Sequence, residues 1–353
     1  MLFGYPLEAT AENWLHDCLT DAVLEIHRLI DVDLPFPTWP QVIPQAHRKL
    51  LQRRHGLRDR FVSYDRQLRP LRKEERDRVL SALISQNRIQ ELLSCQDNCP
   101  TLAELPEEIR DSAEDLFTFG FGLLSEFEIR HRQYEIVCAH IPSRVCPFCG
   151  CENLEAPGAP QEDLDHYIPR SKYPFAAANL RNLAPMGGRC NKAYKKAQDL
   201  LRKNSGGRRR APDPYNAVGI VVSLDNSIVD EMTPGPLVAE WIVDFVGENE
   251  IIQTWNDVFH VRERWIRDVL DEKTFRQWIG DFRRYCVAAK LEFETDQDVV
   301  DAVKQYQQYV SGYGFRDRGF LKAAVFGFLV RRADSGCSRM LPILRDAVGF
   351  PQP

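Results

Sequence analysis

Four short groups of residues between positions 146 and 192 constrain this 353-residue chain more than any other part of it. They supply a pair of thiols spaced as in a metal knuckle, a histidine beside a carboxylate, and two asparagines. Such side chains bind metal ions and transfer protons, so their order predicts a metal site in the middle of the chain. The groups are Cys146-x-x-Cys149, Asp165-His166-x-x-Pro169, Asn182-Leu183 and Cys190-Asn191-Lys192.

The neighbours Asp165 and His166 have the chemistry that phosphodiester hydrolysis needs. A neutral imidazole, with an ordinary pKa of about 6.5, accepts a proton from water near neutral pH, and a carboxylate is a hard ligand for Mg²⁺ or Mn²⁺. Adjacent residues of a strand point to opposite faces, so both side chains reach one site only where the strand ends in a loop. The residues that follow predict such a loop, then a short strand at Asn182, then a helix from Cys190 to about Arg202.

These groups resemble the HNH endonuclease motif of the His-Me finger, or ββα-metal, superfamily, over about residues 144 to 200. The resemblance implies that His166 is the general base and that Asp165 and Asn191 bind the catalytic Mg²⁺ or Mn²⁺. It also implies that Asn182 braces the loop and holds His166 in orientation. The expected activity is hydrolysis that leaves a 5′-phosphate and a 3′-hydroxyl.

The same resemblance implies a structural Zn²⁺ held by the thiolates of Cys146, Cys149 and Cys190. Many relatives carry a second Cys-x-x-Cys, which would require a cysteine at position 187, and this chain has Gly187 there. A structural zinc takes four ligands in tetrahedral array. A site without zinc is one alternative, and the fourth ligand stays open among Cys151, Cys138, His140 and His131.

Positive charge is concentrated in two stretches, although the net charge is −5. Residues 165 to 210 contain 12 lysines and arginines against 2 acidic residues, and residues 48 to 78 contain 12 against 5. Near the expected site, Arg189, Lys192 and Lys195 are predicted to contact nucleic-acid phosphates, which gives affinity without sequence selectivity. The mixed charges of residues 72 to 78 are more typical of a solvated helix.

Hydrophobic periodicity predicts helices over residues 11–30, 44–56, 71–95 and 106–135, and again over 251–290, 295–311 and 317–332. Residues 218–224 and 237–246 are predicted strands. The aromatic residues of 251 to 282 recur at helical spacing, which indicates core packing. We expect a mainly helical α+β chain with four parts: an all-α region 1–140, an HNH module 141–204, a linker 205–216 and a helix-rich α+β region 217–353.

The first residues lack a charged segment followed by an apolar one, and no apolar run approaches the ~20 residues that span a bilayer. We therefore expect a soluble, cytoplasmic protein with no membrane partner. The ten cysteines are irregularly placed, which favours reduced thiols or metal ligands over disulfides.

DNA is the usual substrate of the family that the motif resembles, and RNA stays open. Long flanks around the motif are similar to those of effectors of bacterial anti-phage or restriction systems, which predicts a regulatory protein partner or a nucleotide signal. One alternative is a non-catalytic zinc-knuckle subunit that binds nucleic acid within a larger complex. Another is a structural subunit whose helical flanks are the working surfaces.

Overall fold

The structure is a computed structural model that describes residues 1–159, 164–229, 238–337 and 339–349. It is mainly helical with a few short two-stranded sheets, which confirms the expected mainly helical α+β class. The chain divides into two compact units. The N-terminal unit comprises residues 4–141 and 154–217, and the C-terminal unit comprises residues 1–3, 142–153 and those from Val218 onward. The four-part division expected from the sequence stays a prediction.

The N-terminal unit is built on seven described helices. A helix that the sequence analysis expected over residues 106–135 is two helices, because Glu128 has a left-handed backbone (φ 58°) that ends the first. The helix formed by residues His55–Leu68 was not predicted from the sequence. The helices are α1 (Trp14–Asp31), α2 (Gln45–Leu51), α3 (His55–Leu68), α4 (Lys73–Gln86), α5 (Ile89–Leu93), α6 (Glu107–Glu126) and α7 (Ile129–His140).

The core of this unit forms where α1, α3 and α6 pack together. Gly120 lets α1 approach α6 closely, since a Cβ atom there would lie 2.3 Å from Cδ1 of Leu19. Phe175 and Leu183 belong to the same buried cluster, and the ring of Phe175 packs edge-on against Phe117 of α6. The part of the motif segment that contains Phe175 and Leu183 is therefore supported by the helical core.

Two short antiparallel strands follow the first described gap, β1 (Leu164–His166) and β2 (Leu183–Pro185). A single turn of π-helix, Cys190–Lys195, comes next. The sequence predicted that this helix runs to about Arg202, but it ends at Lys195. Lys196 ends it because its backbone has a left-handed φ of 49°. The order of elements is thus strand, loop, strand, short helix.

The segment 205–216, expected to be a linker, contains no helix or strand but is held against the N-terminal unit. The guanidinium of Arg208 donates to the carbonyl oxygens of Leu92 and Asp97, and Arg209 donates to that of Asp199. These bonds take two of the three consecutive arginines away from solvent, since Arg209 is buried and Arg208 is half-buried.

The C-terminal unit combines two small sheets with six described helices. The strands expected over 218–224 and 237–246 are much shorter than predicted, and residue 237 lies outside the described residues. Strand β3 (Val222–Ser223) pairs with β6 (Asp244–Phe245), and β4 (Ile228–Val229) pairs with β5 (Val238–Glu240). The helices are α8 (Glu250–Phe259), α9 (Val261–Asp268), α10 (Glu272–Ala288), α11 (Asp296–Ser311), α12 (Gly319–Asp334) and α13 (Met340–Val348).

The predicted helix 251–290 is three helices, and His260 adopts a left-handed backbone (φ 51°) at the first break. Trp255, Trp265 and Phe282 on these helices are buried, which confirms that this aromatic series forms core. Within the described residues, no helix has the length and apolar character needed to cross a membrane.

Candidate functional site

Strand β1 places Asp165 and His166 at its C-terminal end. Asp165 pairs with Ala184 and His166 with Leu183 across the two-stranded sheet. The carboxylate side chain is 17% exposed and the histidine 8%. Both side chains thus lie at the border between core and solvent, where the chain leaves the strand for the loop.

The imidazole of His166 is fixed by one hydrogen bond and one aromatic contact. Its Nε2 lies 2.9 Å from the carbonyl oxygen of Ala177, and its ring centroid lies 4.3 Å from that of Phe121. A carbonyl oxygen only accepts hydrogen bonds, so Nε2 carries the hydrogen and Nδ1 of the neutral ring has a free lone pair. The orientation thus leaves one nitrogen able to accept a proton.

The pKa of His166 is lowered to about 3, chiefly by burial and also by the positive charges of Arg170, Lys195 and Arg130, against the opposing hydrogen bond to Ala177. The ring is therefore neutral at physiological pH. A neutral imidazole is the form that accepts a proton, but a pKa this low also makes the ring a weaker base than an ordinary imidazole.

Asn182 is completely buried and braces the loop that follows β1. Its Oδ1 accepts from the backbone nitrogen of Ile168 at 2.7 Å, and its Nδ2 donates to the carbonyl oxygens of Ile168 and Ala176 at 3.2 and 3.1 Å. Ala176 directly precedes the residue that accepts from His166. The amide of Asn182 therefore holds the loop segment that orients the imidazole.

Asp165 faces a buried lysine. Nζ of Lys195 lies 2.7 Å from Oδ2 of Asp165, and this lysine side chain is only 1% exposed. The contact is an ion pair without hydrogen-bond geometry, since Oδ2 is buried and has no hydrogen-bond partner. Lys195 was predicted to contact phosphate, but the structure places its ammonium group below the surface, beside the carboxylate.

The π-helix presents Asn191 on the face that contains Lys195, because the two residues are four apart, about one turn. Asn191 is half-buried, whereas Arg189 and Lys192 are exposed. The helix therefore directs the ammonium group of Lys195 toward Asp165, whereas Arg189 and Lys192 lie at the surface.

Cys146 and Cys149 lie in a tight turn of the C-terminal unit, here called the cysteine knuckle (residues 145–153). The backbone nitrogens of Cys149 and Gly150 both donate to the carbonyl oxygen of Cys146, at 3.2 and 2.7 Å. Gly150 has a φ of 68°, and a Cβ atom there would lie 2.6 Å from Leu2 and 2.7 Å from Phe320. Only glycine fits this turn, which brings the two buried Sγ atoms within 4.8 Å of each other.

Helices α8 and α9 hold the cysteine knuckle in place. The indole nitrogen of Trp255 donates to the carbonyl oxygen of Phe148 at 3.0 Å, and that of Trp265 to Cys149 at 2.7 Å. Arg264 forms a 2.8 Å ion pair with Glu152 of the knuckle. The knuckle is thus an integral part of the C-terminal unit.

The other predicted zinc ligands lie as follows. Cys190 is buried at the first residue of the π-helix, in the N-terminal unit. Cys151 belongs to the knuckle, and its side chain is hydrogen-bonded to that of Cys149. The three remaining candidates for fourth ligand lie on α7: His131, Cys138 and His140.

Sequence reasoning missed the residues that surround the site. The ring of Phe121, from α6, packs against the imidazole of His166. The guanidinium of Arg130 lies 4.7 Å from the centroid of the Phe121 ring. Lys195 was assigned the wrong surroundings, although its spacing of four from Asn191 was a usable signal. Nothing in the local sequence connects Phe121 or Arg130 with the motif, because both are far away in the chain.

Known proteins give no further guide to the site. No protein-family model, no curated protein and no solved structure matches this chain. The residues of the site and their geometry are therefore the basis on which its function is inferred.

Proposed function

We propose that this protein is a metal-dependent endonuclease of the HNH kind that hydrolyses phosphodiester bonds of DNA. The observation that carries the proposal is the pairing of a carboxylate and an oriented histidine at the end of β1, with Asn182 bracing the loop between them and β2. The order of strand, loop, strand and short helix supports it.

In the proposed mechanism, Nδ1 of His166 accepts a proton from the attacking water. Ala177 fixes the ring by accepting from Nε2, and Phe121 excludes water from one face of the ring. The low pKa of His166 keeps the ring unprotonated before the reaction. Asn182 acts as a positioning residue, because it holds the loop rather than the reacting atoms.

Asp165 and Asn191 are the proposed ligands for Mg²⁺ or Mn²⁺. Oδ2 of Asp165 is buried and already faces one positive charge, the ammonium group of Lys195 at 2.7 Å, so this oxygen suits a cation. Bound there, a divalent ion would supply positive charge to the scissile phosphate and to the leaving oxygen. The carboxylate of Asp165 would then pair with this ion in place of the ammonium group of Lys195, because both carry positive charge.

We also propose a structural Zn²⁺ held by Cys146, Cys149 and Cys190, with Cys151 as the fourth candidate. All three thiols are buried, and the two of the knuckle are separated by a distance compatible with ligands that each lie about 2.3 Å from one zinc ion. Cys151 is favoured over the candidates on α7 because it belongs to the same turn as Cys149, to whose Sγ its backbone nitrogen donates at 3.4 Å.

DNA contact is assigned to the exposed cations Arg189 and Lys192 at the start of the π-helix. Lys195 is left out of this surface because its side chain is buried. A role as effector of an anti-phage or restriction system, with a regulatory protein partner, remains part of the proposal and rests on the resemblance of the flanks.

The decisive experiment is a cleavage assay on supercoiled plasmid, linear duplex, single-stranded DNA and RNA, with Mg²⁺, Mn²⁺ or EDTA. His166→Ala should abolish cleavage while leaving DNA binding nearly unchanged, because the base is needed only for the chemical step. Its melting temperature should fall but stay above the assay temperature, since the lost imidazole is buried and hydrogen-bonded. His55→Ala is the matched control, since His55 is an exposed histidine on α3. Full cleavage by His166→Ala would refute the assignment.

One observation favours a second function, a non-catalytic module that binds nucleic acid. Lys195 neutralises Asp165 at 2.7 Å, as expected for a carboxylate that no longer binds metal. The same assay separates the two functions. Binding without cleavage on every substrate and with every metal would favour the non-catalytic module.

A further inference from the structure

A cluster of four tyrosines lies in the C-terminal unit, away from the motif in the sequence. The ring of Tyr285 of α10 contacts those of Tyr306 and Tyr309 of α11 in tilted arrangements, with ring centroids 5.1 Å apart in both pairs. Tyr313, just beyond α11, meets Tyr309 edge-on at 5.5 Å. The four rings line a cavity of about 460 Å³, a size typical of ligand sites.

The two outer rings are exposed in a way that core packing does not explain. Tyr306 is buried, and it contacts Phe282 and Phe326 as an ordinary core residue would. Tyr309 and Tyr313 are 51% and 39% exposed, and their hydroxyl groups are 2.8 Å apart. This mutual hydrogen bond fixes two aromatic faces at the mouth of the cavity.

Cations surround these rings. Arg284 and Lys322 share the carboxylate of Asp281, while Arg316 forms no ion pair or side-chain hydrogen bond among the described residues. With Asp317, the lining of the cavity has three cations against two carboxylates. An aromatic surface with an uncommitted arginine matches a nucleobase joined to a phosphate.

The turn beside the cavity has strained backbone. Asp317 and Arg318 are consecutive non-glycine residues with left-handed φ values of 50° and 58°. Such conformations are costly for residues that have a Cβ atom, and they persist where the surrounding structure enforces them, often at binding sites. Here they follow Arg316 directly and so fix its place at the rim of the cavity.

We infer that the cavity between α10, α11 and the turn before α12 is a binding site for a nucleobase and its adjacent phosphate, within a single strand of nucleic acid. The base stacks on Tyr309 or Tyr313, and the phosphate meets Arg316. The inference rests on the proposed function in one respect, because it assigns this site a second contact with the substrate strand.

The test measures binding of a fluorescein-labelled single-stranded oligonucleotide by anisotropy, with the full-length chain in EDTA. Tyr309→Ala should weaken binding about tenfold, because stacking of one base on one aromatic ring is worth roughly a factor of ten. Tyr309→Phe keeps the ring and loses only the hydrogen bond to Tyr313, so it should bind much more tightly than Tyr309→Ala. Arg316→Ala should lower the slope of log affinity against log salt by about 0.7, the value for one phosphate contact on a single strand.

Two control variants match these changes. Val287→Ala alters an apolar residue of α10 that is 72% exposed, and Arg283→Ala removes an exposed arginine from the same helix. Neither residue lines the cavity, so neither should change the affinity or the salt slope. Equal affinities for Tyr309→Ala, Val287→Ala and the wild type, with unchanged melting curves, would overturn the inference.

The source of the ligand is decided by a competition arm with free adenosine monophosphate. If only unlabelled oligonucleotide displaces the labelled strand, a strand of nucleic acid is supported as the ligand. If the free nucleotide binds more tightly than the oligonucleotide, and this binding is lost in Tyr309→Ala, the strand is overturned as the occupant. Cleavage is measured separately in Mn²⁺, so an inactive chain that still loses binding in Tyr309→Ala would refute the nuclease and retain this site. If the chain cleaves DNA and Tyr309→Ala does not change oligonucleotide binding, the nuclease is supported and the binding site in this cavity is refuted.

Discussion

Replacing Lys195 by methionine tests the electrostatic arrangement at the centre of the candidate site. Methionine has a similar length and no charge, so Lys195→Met removes the ammonium group and leaves the carboxylate of Asp165 without its partner. The lysine is 1% exposed and the aspartate 17%, and Nζ and Oδ2 are 2.7 Å apart. The variant therefore isolates one charge at the border of the core.

Breaking a buried ion pair by removing one partner costs ~3 to 5 kcal/mol. Asp165 retains some contact with water, so we expect the lower end, about 3 kcal/mol, for Lys195→Met. Asp165→Asn strands the more deeply buried ammonium group and should cost about 4 kcal/mol. The double variant contains no unpaired charge, so its loss of stability should be smaller than the sum of the two single losses. The difference in the free energy of unfolding should be at least about 2 kcal/mol.

The free energy of unfolding is measured by urea titration followed by circular dichroism, in EDTA. Lys192→Met is the matched control, because Lys192 is an exposed lysine of the same π-helix and should change stability by less than about 0.5 kcal/mol. Additive effects in the double variant would show that the two groups do not interact, and the reasoning would fail. In Mn²⁺, Lys195→Met should gain more stability than the wild type, because its carboxylate is free to bind the ion.

Three further changes have defined outcomes. Asn182→Ala removes three buried hydrogen bonds and should lower the free energy of unfolding by about 3 kcal/mol and reduce cleavage, checked by urea titration and the plasmid assay. Cys146→Ser should lower the melting temperature and the zinc content by elemental analysis; an unchanged value of both would reject the zinc proposal. Burial lowers the pKa of His16 and of His27 to about 4, so the unfolded chain takes up these protons first as the pH falls below about 6.5. The free energy of unfolding should have its full value above about pH 6.5 and should fall by about 3 kcal/mol per histidine between about pH 6.5 and pH 4. Acid titration of His16→Leu should show a smaller loss.

The sequence predicted the helices whose apolar residues recur regularly and whose ends have clear breakers. Helix α1 follows such a pattern, with Leu15, Leu19 and Ile26 all buried, and the proline-rich segment after it marks its end. Helix α3 was missed because its apolar residues are diluted by arginines and aspartates. Breaks at Glu128 and His260 were not foreseen, since neither residue type announces a left-handed backbone.

The candidate site was predictable where its chemistry is local in the chain. Asp165, His166 and Asn182 are identified by type and spacing, and their roles stay a prediction. Asp165 and His166 lie on β1, whereas Asn182 lies at the end of a 3₁₀ turn just before β2. Charge was the less reliable guide. Lys195 and Arg209 were counted in a basic surface, but one pairs with Asp165 and the other donates to a backbone carbonyl, because long cationic side chains fold inward wherever buried oxygen atoms need partners.

The indole contacts of the cysteine knuckle give the chain an intrinsic optical reporter. Trp255 and Trp265, two of its six tryptophans, donate hydrogen bonds to the backbone of the turn that contains Cys149. Indole fluorescence responds to the hydrogen bonding and polarity around the ring. Removal of the proposed zinc by a chelator, or oxidation of the thiols, should therefore shift the tryptophan emission before the far-UV spectrum changes, so the state of the knuckle can be followed without a label.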